Sequence, residues 1–298
     1  MIWNFLKGMA MGAADIVPGI SGGTIALITG IYERLISAIK SVGWDTLVML
    51  KRSGIKSAWQ QMDGTFLISV LAGAATSILL LSKVLHYLIE SQPIMTWSFF
   101  FGLVLASFLY VVKQIKGWNM ARMGLLAVGA VLAAFISLSQ SAQIEVTHLN
   151  LFVAGAIAIC AMILPGISGS FILLLMGMYE FIIGSIKSFD LINLGIFASG
   201  CLLGIMLFSR FLSWVLRHFH DGTMALLSGF MLGALVKLWP WKEVLSYRMS
   251  SGGQSVPFIE NPVWPWAQSE PQILLALGAF VVGFSLVFVV DRVFKSPN

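Results

Sequence analysis

Charge is scarce in this sequence. Only 10% of its 298 residues are Asp, Glu, Lys or Arg, whereas soluble domains carry about 25%, which excludes a water-exposed globule. Cysteine is scarcer still. Cys160 and Cys201 both lie inside apolar runs, which excludes a disulfide framework and a Cys/His metal cluster. The histidines are His86, His148, His218 and His220. Only the last two are close, beside Arg217 at an apparent helix end, and they read as interfacial rather than metal-binding. No metal or cofactor is implied. The net charge of +5 does not point to nucleic acid, because the basic residues fall in joins between apolar runs, where a membrane protein places them. Lys7 is the only early charge and the first apolar stretch leads straight into a second, so that stretch is expected to be retained rather than cleaved.

Apolar residues are abundant, at 58% of the chain. Ten apolar segments can be traced, at 3–17, 20–39, 66–89, 94–112, 120–139, 147–164, 168–186, 191–216, 222–239 and 271–294. A transmembrane helix needs roughly 20 such residues. The joins at 40–65 and 240–270 are long and polar. The second holds Pro257, Pro262 and Pro265 and reads as a loop. Its Trp241, Trp264 and Trp266 favour the headgroup layer.

An internal repeat organises these segments. Residues 18–41 read PGISGGTIALITGIYERLISAIKS and residues 165–188 read PGISGSFILLLMGMYEFIIGSIKS. At a constant offset of 147 they match at Pro18/Pro165, Gly19/Gly166, Ser21/Ser168, Gly22/Gly169, Gly30/Gly177, Tyr32/Tyr179, Glu33/Glu180 and Lys40/Lys187. A weaker match follows at an offset of 127, in Gly73/Gly200, Lys83/Arg210 and Gly102/Gly229. Each half then holds one broken pair and three ordinary spans. The pair makes an even number of crossings, so each half makes an odd number and the second half is inverted. The expected fold is an all-α polytopic membrane protein of two inverted-topology repeats. The first covers 1–145 (hairpin 3–39; spans 66–89, 94–112, 120–139). The second covers 146–298 (hairpin 147–186; spans 191–216, 222–239, 271–294).

Charge supports that arrangement. With the N-terminus cytoplasmic, the inner segments carry Lys7, Lys40, Lys51, Arg52, Lys56, Lys113, Lys116, Arg122, Arg217, Arg292 and Lys295, against Lys187, Lys242 and Arg248 outside, eleven to three. That is the positive-inside bias, and it puts both termini in the cytoplasm.

The broken segments hold the candidate site. Proline and glycine at Pro18-Gly19 and Pro165-Gly166 should end one helix, and Ser21 and Ser168 can cap the next. The half-segments before the breaks have about 15 residues, roughly 22 Å, so re-entrant hairpins are expected, with tips approaching from opposite faces. Helix N-termini there suit an anion, which makes Ser21, Gly22, Gly23, Thr24, Ser168, Gly169 and Ser170 candidate phosphate contacts. A Pro-Gly kink can also serve helix packing alone. Asp15 has Met162 as its counterpart. It is a candidate for coupling to a proton or cation, or a carboxylate bonded to the turn. Glu33 and Glu180, with Tyr32 and Tyr179, read equally as site residues or interfacial anchors. Lys83 and Arg210 either snorkel to headgroups or attract a phosphate, one from each side.

The strings GAADIVPGISGGTIALITGIYERLI (12–36) and ILPGISGSFILLLMGMYE (163–180) resemble the bacterial and archaeal polyprenyl-phosphate transporter family, formerly a family of unknown function, over essentially the whole chain. The resemblance implies translocation of undecaprenyl phosphate, the carrier lipid of cell-wall synthesis, from the outer to the cytoplasmic leaflet of the inner membrane; a proton or sodium gradient is the expected drive. It implies Asp15, Pro18, Gly19, Ser21, Gly22, Thr24, Pro165, Gly166, Ser168, Gly169 and Ser170 as motif positions. Two other readings stay open. One is a secondary transporter of a small anion. The other is an enzyme, since the turn also resembles the PGxSRS turn of undecaprenyl-diphosphate phosphatases. Gly22 and Gly169 replace that arginine, so phosphoryl transfer is poorly supported and no catalytic residue is assigned. A homo-oligomer is compatible with the sequence and not specified by it.

Overall fold

A computed structural model of the chain describes residues 1–17, 19–139, 141–142, 144–249 and 255–294. Pro18 and Lys295, both used above, lie outside the described residues. The helices are α1 (Ile2–Asp15), α2 (Gly22–Ile28), α3 (Tyr32–Ser41), α4 (Trp44–Gln61), α5 (Gly64–Ser91), α6 (Pro93–Val112), α7 (Met120–Leu138), α8 (His148–Ile163), α9 (Gly169–Leu175), α10 (Tyr179–Lys187), α11 (Leu191–His218), α12 (His220–Leu238) and α13 (Ile273–Phe294). A hairpin of β1 (Lys242–Met249) and β2 (Ser255–Pro262) precedes α13.

Local chemistry explains many of the boundaries. Asn119, Thr147 and Asp190 cap α7, α8 and α11, their side-chain oxygens accepting the N–H groups of Arg122, Asn150 and Asn193 at 2.9, 3.1 and 3.2 Å. Pro93 opens α6, where its missing N–H costs nothing.

Among the described residues six helices are long and apolar enough to cross a bilayer: α5, α6, α7, α11, α12 and α13. These are the six ordinary spans expected from sequence, and the chain is a multi-pass, mostly helical membrane protein. Its outer surface is apolar, with Leu79 and Leu274 79% and 87% exposed, as lipid rather than water requires. The helices α1 and α8, with 14 and 16 residues, are too short to span.

Helix pairing follows small residues. The helix α1 packs on α5, and α8 packs on α11. A side chain at Gly73 would strike the carbonyl of Phe5, and one at Gly200 would strike that of Phe152. Phe5 and Phe152 are themselves 147 apart. The third span of each half packs on the other half: α7 lies on α12, α13 lies on α6, and α6 touches α12. Here too the contacts match. Gly102 abuts the Phe280 carbonyl and Gly229 that of Leu126, while Gly283 abuts Phe99 and Gly129 abuts Leu226. Bare glycine lets helix backbones approach this closely, which is how membrane helices gain packing energy without a hydrophobic driving force.

Three sequence expectations change. The segments 20–39 and 168–186 are not continuous helices. Each bends again at a glycine in the left-handed region, Gly30 (φ 70°) and Gly177 (φ 73°), and α9 and α10 meet at 108°. The join at 40–65 is largely the helix α4, interrupted at Gly54 (φ 81°). The join at 240–270 is an antiparallel hairpin, with Lys242 opposite Pro262 and Val244 opposite Glu260. Its root is pinned by indole donors, Trp239 Nε1 to the Val263 carbonyl and Trp241 Nε1 to that of Pro271, both at 2.8 Å. Trp264 and Trp266 are exposed.

Candidate functional site

The two breaks meet. At the first, α1 ends at Asp15 and Gly19 takes a φ of 89°. Ser21 then adopts the extended geometry of a cap, and its Oγ accepts the Gly23 N–H at 3.0 Å. At the second, α8 ends at Ile163, and Gly166 repeats the turn with a φ of 81°. Ser21 Oγ donates to the carbonyl of Met162 at 2.9 Å, and the Gly166 N–H donates to Thr24 Oγ1 at 3.2 Å. Side chains of the first break therefore satisfy backbone groups freed at the second, which is what unwound chain at membrane depth requires. Pro165 is buried between them.

The breaks are not equivalent. Asp15 Oδ1 accepts the Gly22 N–H at 2.7 Å. The protein's own carboxylate thus holds the N-terminus of α2, where partial positive charge favours an anion. Residues 19–29 are all buried. In the second break Met162 stands in place of Asp15. Ser168 does not cap α9 with its side chain, contrary to expectation; its Oγ lies 2.9 Å from Ser170 Oγ instead. Ser168 and Gly169 are buried and Ser170 is exposed. The first break has its helix N-terminus taken by its own carboxylate, and the second keeps the Ser170 hydroxyl at an accessible edge beside the buried Ser168.

The remaining candidates lie apart. Glu33 is exposed on α3 and accepts from His220 Nε2 at 2.9 Å, joining α3 to the start of α12. Its neighbour Tyr32 is not at the surface: it is 2% exposed, and its hydroxyl has no hydrogen-bond partner among the described residues. After the tight bend at Gly30, Tyr32 turns into the core while Glu33 and Arg34 face outward. Glu180 is half-buried in the first turn of α10. Lys83 is exposed on α5. Arg210 on α11 donates to the Met206 carbonyl at 2.7 Å and crowds Gly43, away from both breaks.

Three charges that the sequence does not mark as a group come together beside the first break. The stem of Lys237, near the end of α12, covers Gly19, where an added Cβ would sit 3.1 Å from its Cγ. Glu260 Oε2 lies 3.3 Å from Lys237 Nζ and 3.5 Å from Lys242 Nζ. Burial pushes the Lys242 ammonium down to about 8. Burial alone would raise Glu260, but Lys242 and Lys237 outweigh it and hold the carboxyl below its ordinary range. In sequence Lys237 reads only as a lysine at the edge of a span. Its pairing depends on the hairpin register.

The undecaprenyl phosphate translocase-like family model matches residues 11–256, which include both breaks. A polyprenyl-phosphate transporter of Vibrio cholerae serotype O1 is 45% identical over 294 residues, covering 97% of this chain and 96% of that protein. A polyprenyl-phosphate transporter of Staphylococcus aureus is 32% identical over 256 residues, covering 80% and 86%. No solved structure matches the chain.

Proposed function

The chain belongs to the undecaprenyl phosphate translocase-like family, and from that premise we propose that it carries a polyprenyl monophosphate, undecaprenyl phosphate, between the leaflets of the cytoplasmic membrane. Transport runs from the outer to the inner leaflet and recycles the lipid for cell-wall synthesis. The observation that carries this reading is the pair of bonds joining the breaks, Ser21 to Met162 and Thr24 to Gly166. They gather backbone donors, hydroxyls and one carboxylate at a single place in an apolar protein.

The phosphate enters on the side of the second break, at Ser168, Gly169 and Ser170, where Met162 stands in place of the Asp15 carboxylate. Asp15 supplies the coupling. As a carboxylate it occupies the Gly22 N–H and repels a phosphate. Neutralised by a proton or paired with sodium, it lets the phosphate reach Gly22, Gly23 and the Ser21 hydroxyl. An ion and the lipid then move together. The chain is a transporter rather than an enzyme, since glycines stand where phosphoryl transfer needs a cation.

The two halves are antiparallel repeats with re-entrant hairpins and both termini cytoplasmic. The matched contacts of Gly73 with Gly200, Gly102 with Gly229 and Gly129 with Gly283 support equivalent folds for the halves. Cysteines introduced at Lys51 and Ser269 test the topology: labelling of both from one side would refute it.

Liposomes holding the protein and labelled undecaprenyl phosphate test the function. Movement between leaflets should exceed that in empty liposomes and respond to an imposed ion gradient. No acceleration under any gradient would overturn the reading.

A further inference from the structure

Lys237, Lys242 and Glu260 form a nearly enclosed cluster with two positive charges and one negative. Their side chains are only 15%, 7% and 17% exposed. Buried charges are normally balanced and tightly hydrogen-bonded, and this cluster is neither. A single oxygen, Glu260 Oε2, serves both ammoniums at 3.3 and 3.5 Å, whereas charge-assisted N–H···O bonds run near 2.7–2.9 Å. The lysines are held from beneath by aromatic faces. Lys242 Nζ lies 3.5 Å from the Trp97 ring centroid and Lys237 Nζ lies 5.2 Å from that of Phe171. The cations are thus held in place with one unit of charge uncompensated among the described residues.

A cavity of about 120 Å³ opens beside Lys237 and Glu260, lined also by Ser137, Ser139, Ser141 and Phe171, and Lys242 reaches it through the Glu260 carboxylate. A water's share of liquid volume is about 30 Å³, so a group of several heavy atoms fits. The position joins the two breaks: Phe171 follows Ser170 in α9, and the Lys237 stem covers Gly19. Glu260 is a flexible side chain on the hairpin, so its carboxylate can swing away by side-chain rotation while the hairpin backbone, which also carries Lys242, stays in place.

We propose that Lys237 and Lys242 form a receiving station for a phosphate monoester, and that Glu260 is the built-in counter-ion which the phosphate displaces. This rests on the phosphate-lipid reading above and adds a place where the headgroup waits before it reaches the breaks. A monoester carries a charge of about −1.5 to −2 and three acceptor oxygens. It can give each ammonium its own short bond, which one carboxylate oxygen does not.

The roles have opposite signs in an equilibrium binding test. The full chain in nanodiscs is titrated with farnesyl phosphate, inorganic phosphate and farnesol. Glu260→Gln should tighten farnesyl phosphate about fivefold, because the competitor is gone. Lys237→Gln and Lys242→Gln should each weaken it about tenfold, and Lys237→Arg should restore most of the affinity. Glu260→Asp, with a shorter reach to the lysines, should tighten it by a smaller factor, and it replaces Glu260→Gln if that variant fails to elute as a single species. Weaker binding on removing the carboxylate, or an unchanged affinity on removing Lys237, overturns the station. Undecaprenyl phosphate transport by the wild type in liposomes would meanwhile leave the reading beneath it standing. Inorganic phosphate binding without farnesyl phosphate binding supports a phosphate station and removes the lipid reading. Binding of farnesol as tight as that of farnesyl phosphate overturns the station, and a wild type that binds neither phosphate and moves no lipid overturns both.

Discussion

Thr24 and Gly166 are 142 positions apart, yet the Thr24 hydroxyl accepts the Gly166 N–H at 3.2 Å, with both groups buried. The helix that follows one break thereby holds the turn of the other. Thr24→Val keeps the shape and removes the acceptor, leaving a buried donor unsatisfied. The expected cost is about 1–3 kcal/mol, and Thr24→Ser should recover it. Thermal unfolding in detergent would measure both. A valine variant as stable as wild type would mean that water or another group satisfies Gly166.

Ser21 and Ser168 occupy matched positions and do different work, so their alanine variants should separate. Ser21→Ala removes the α2 cap and the bond to Met162, at a cost of about 1–2 kcal/mol. Ser168→Ala breaks only a hydroxyl pair with Ser170 and should change stability by less than about 0.5 kcal/mol while slowing lipid transport severalfold. Equal losses of stability would contradict the asymmetry of the two breaks.

Asp15→Asn keeps an oxygen for the Gly22 N–H and removes the charge. The fold should survive, with an unfolding midpoint no lower than wild type. Lipid exchange without a gradient should persist, while the response to an imposed gradient is lost. An unaltered gradient response would remove Asp15 from the coupling step.

The buried Lys242 ammonium sets a pH dependence. Its folded value is about 8 against an ordinary 10.5, so between those values the unfolded chain binds more protons. Stability therefore rises with pH across that window, and the cost of burying the charge is fully present below it. Comparison with Lys242→Met isolates the effect: the wild type should gain on the variant from about pH 8 to 10.5. A constant difference in midpoint would show that Lys242 is not buried as described.

Two glycines of α11 should respond in opposite directions. Gly200 faces the Phe152 carbonyl, whereas among the described residues nothing lies within 4 Å of a Cβ at Gly195. Gly200→Ala must push α8 away, at a cost of about 1–3 kcal/mol. Gly195→Ala should be neutral or stabilise by up to about 1 kcal/mol. Unfolding midpoints of the two variants decide it.

Much of the architecture was legible because it rests on patterns longer than any one contact. The offset of 147 identified both breaks, and apolar length identified six spans. What was not legible depends on neighbours far away in sequence. Gly30 and Gly177 matched in the repeat, but a lone glycine in an apolar run does not declare whether it bends the chain or serves packing. Ser21 and Ser168 sit in the same PGISG string, and their different bonding follows from Asp15 against Met162 and from what each hydroxyl meets in space. Glu260 reaches Lys237 only because the hairpin pairs Val244 with Glu260, a register that a Pro-rich join concealed.

The exchange of third spans between the halves has a consequence for how the protein is made. The partner of α7 is α12, which begins 82 residues after α7 ends (138 to 220), and the partner of α6 is α13, the last of the described helices. At about 5–20 residues per second, α7 waits some 4–16 s in the bilayer with its glycine face unmatched. A ribosome that stalls within the second half leaves the first half inserted but unable to close, with Gly102 and Gly129 exposed to any other helix that passes.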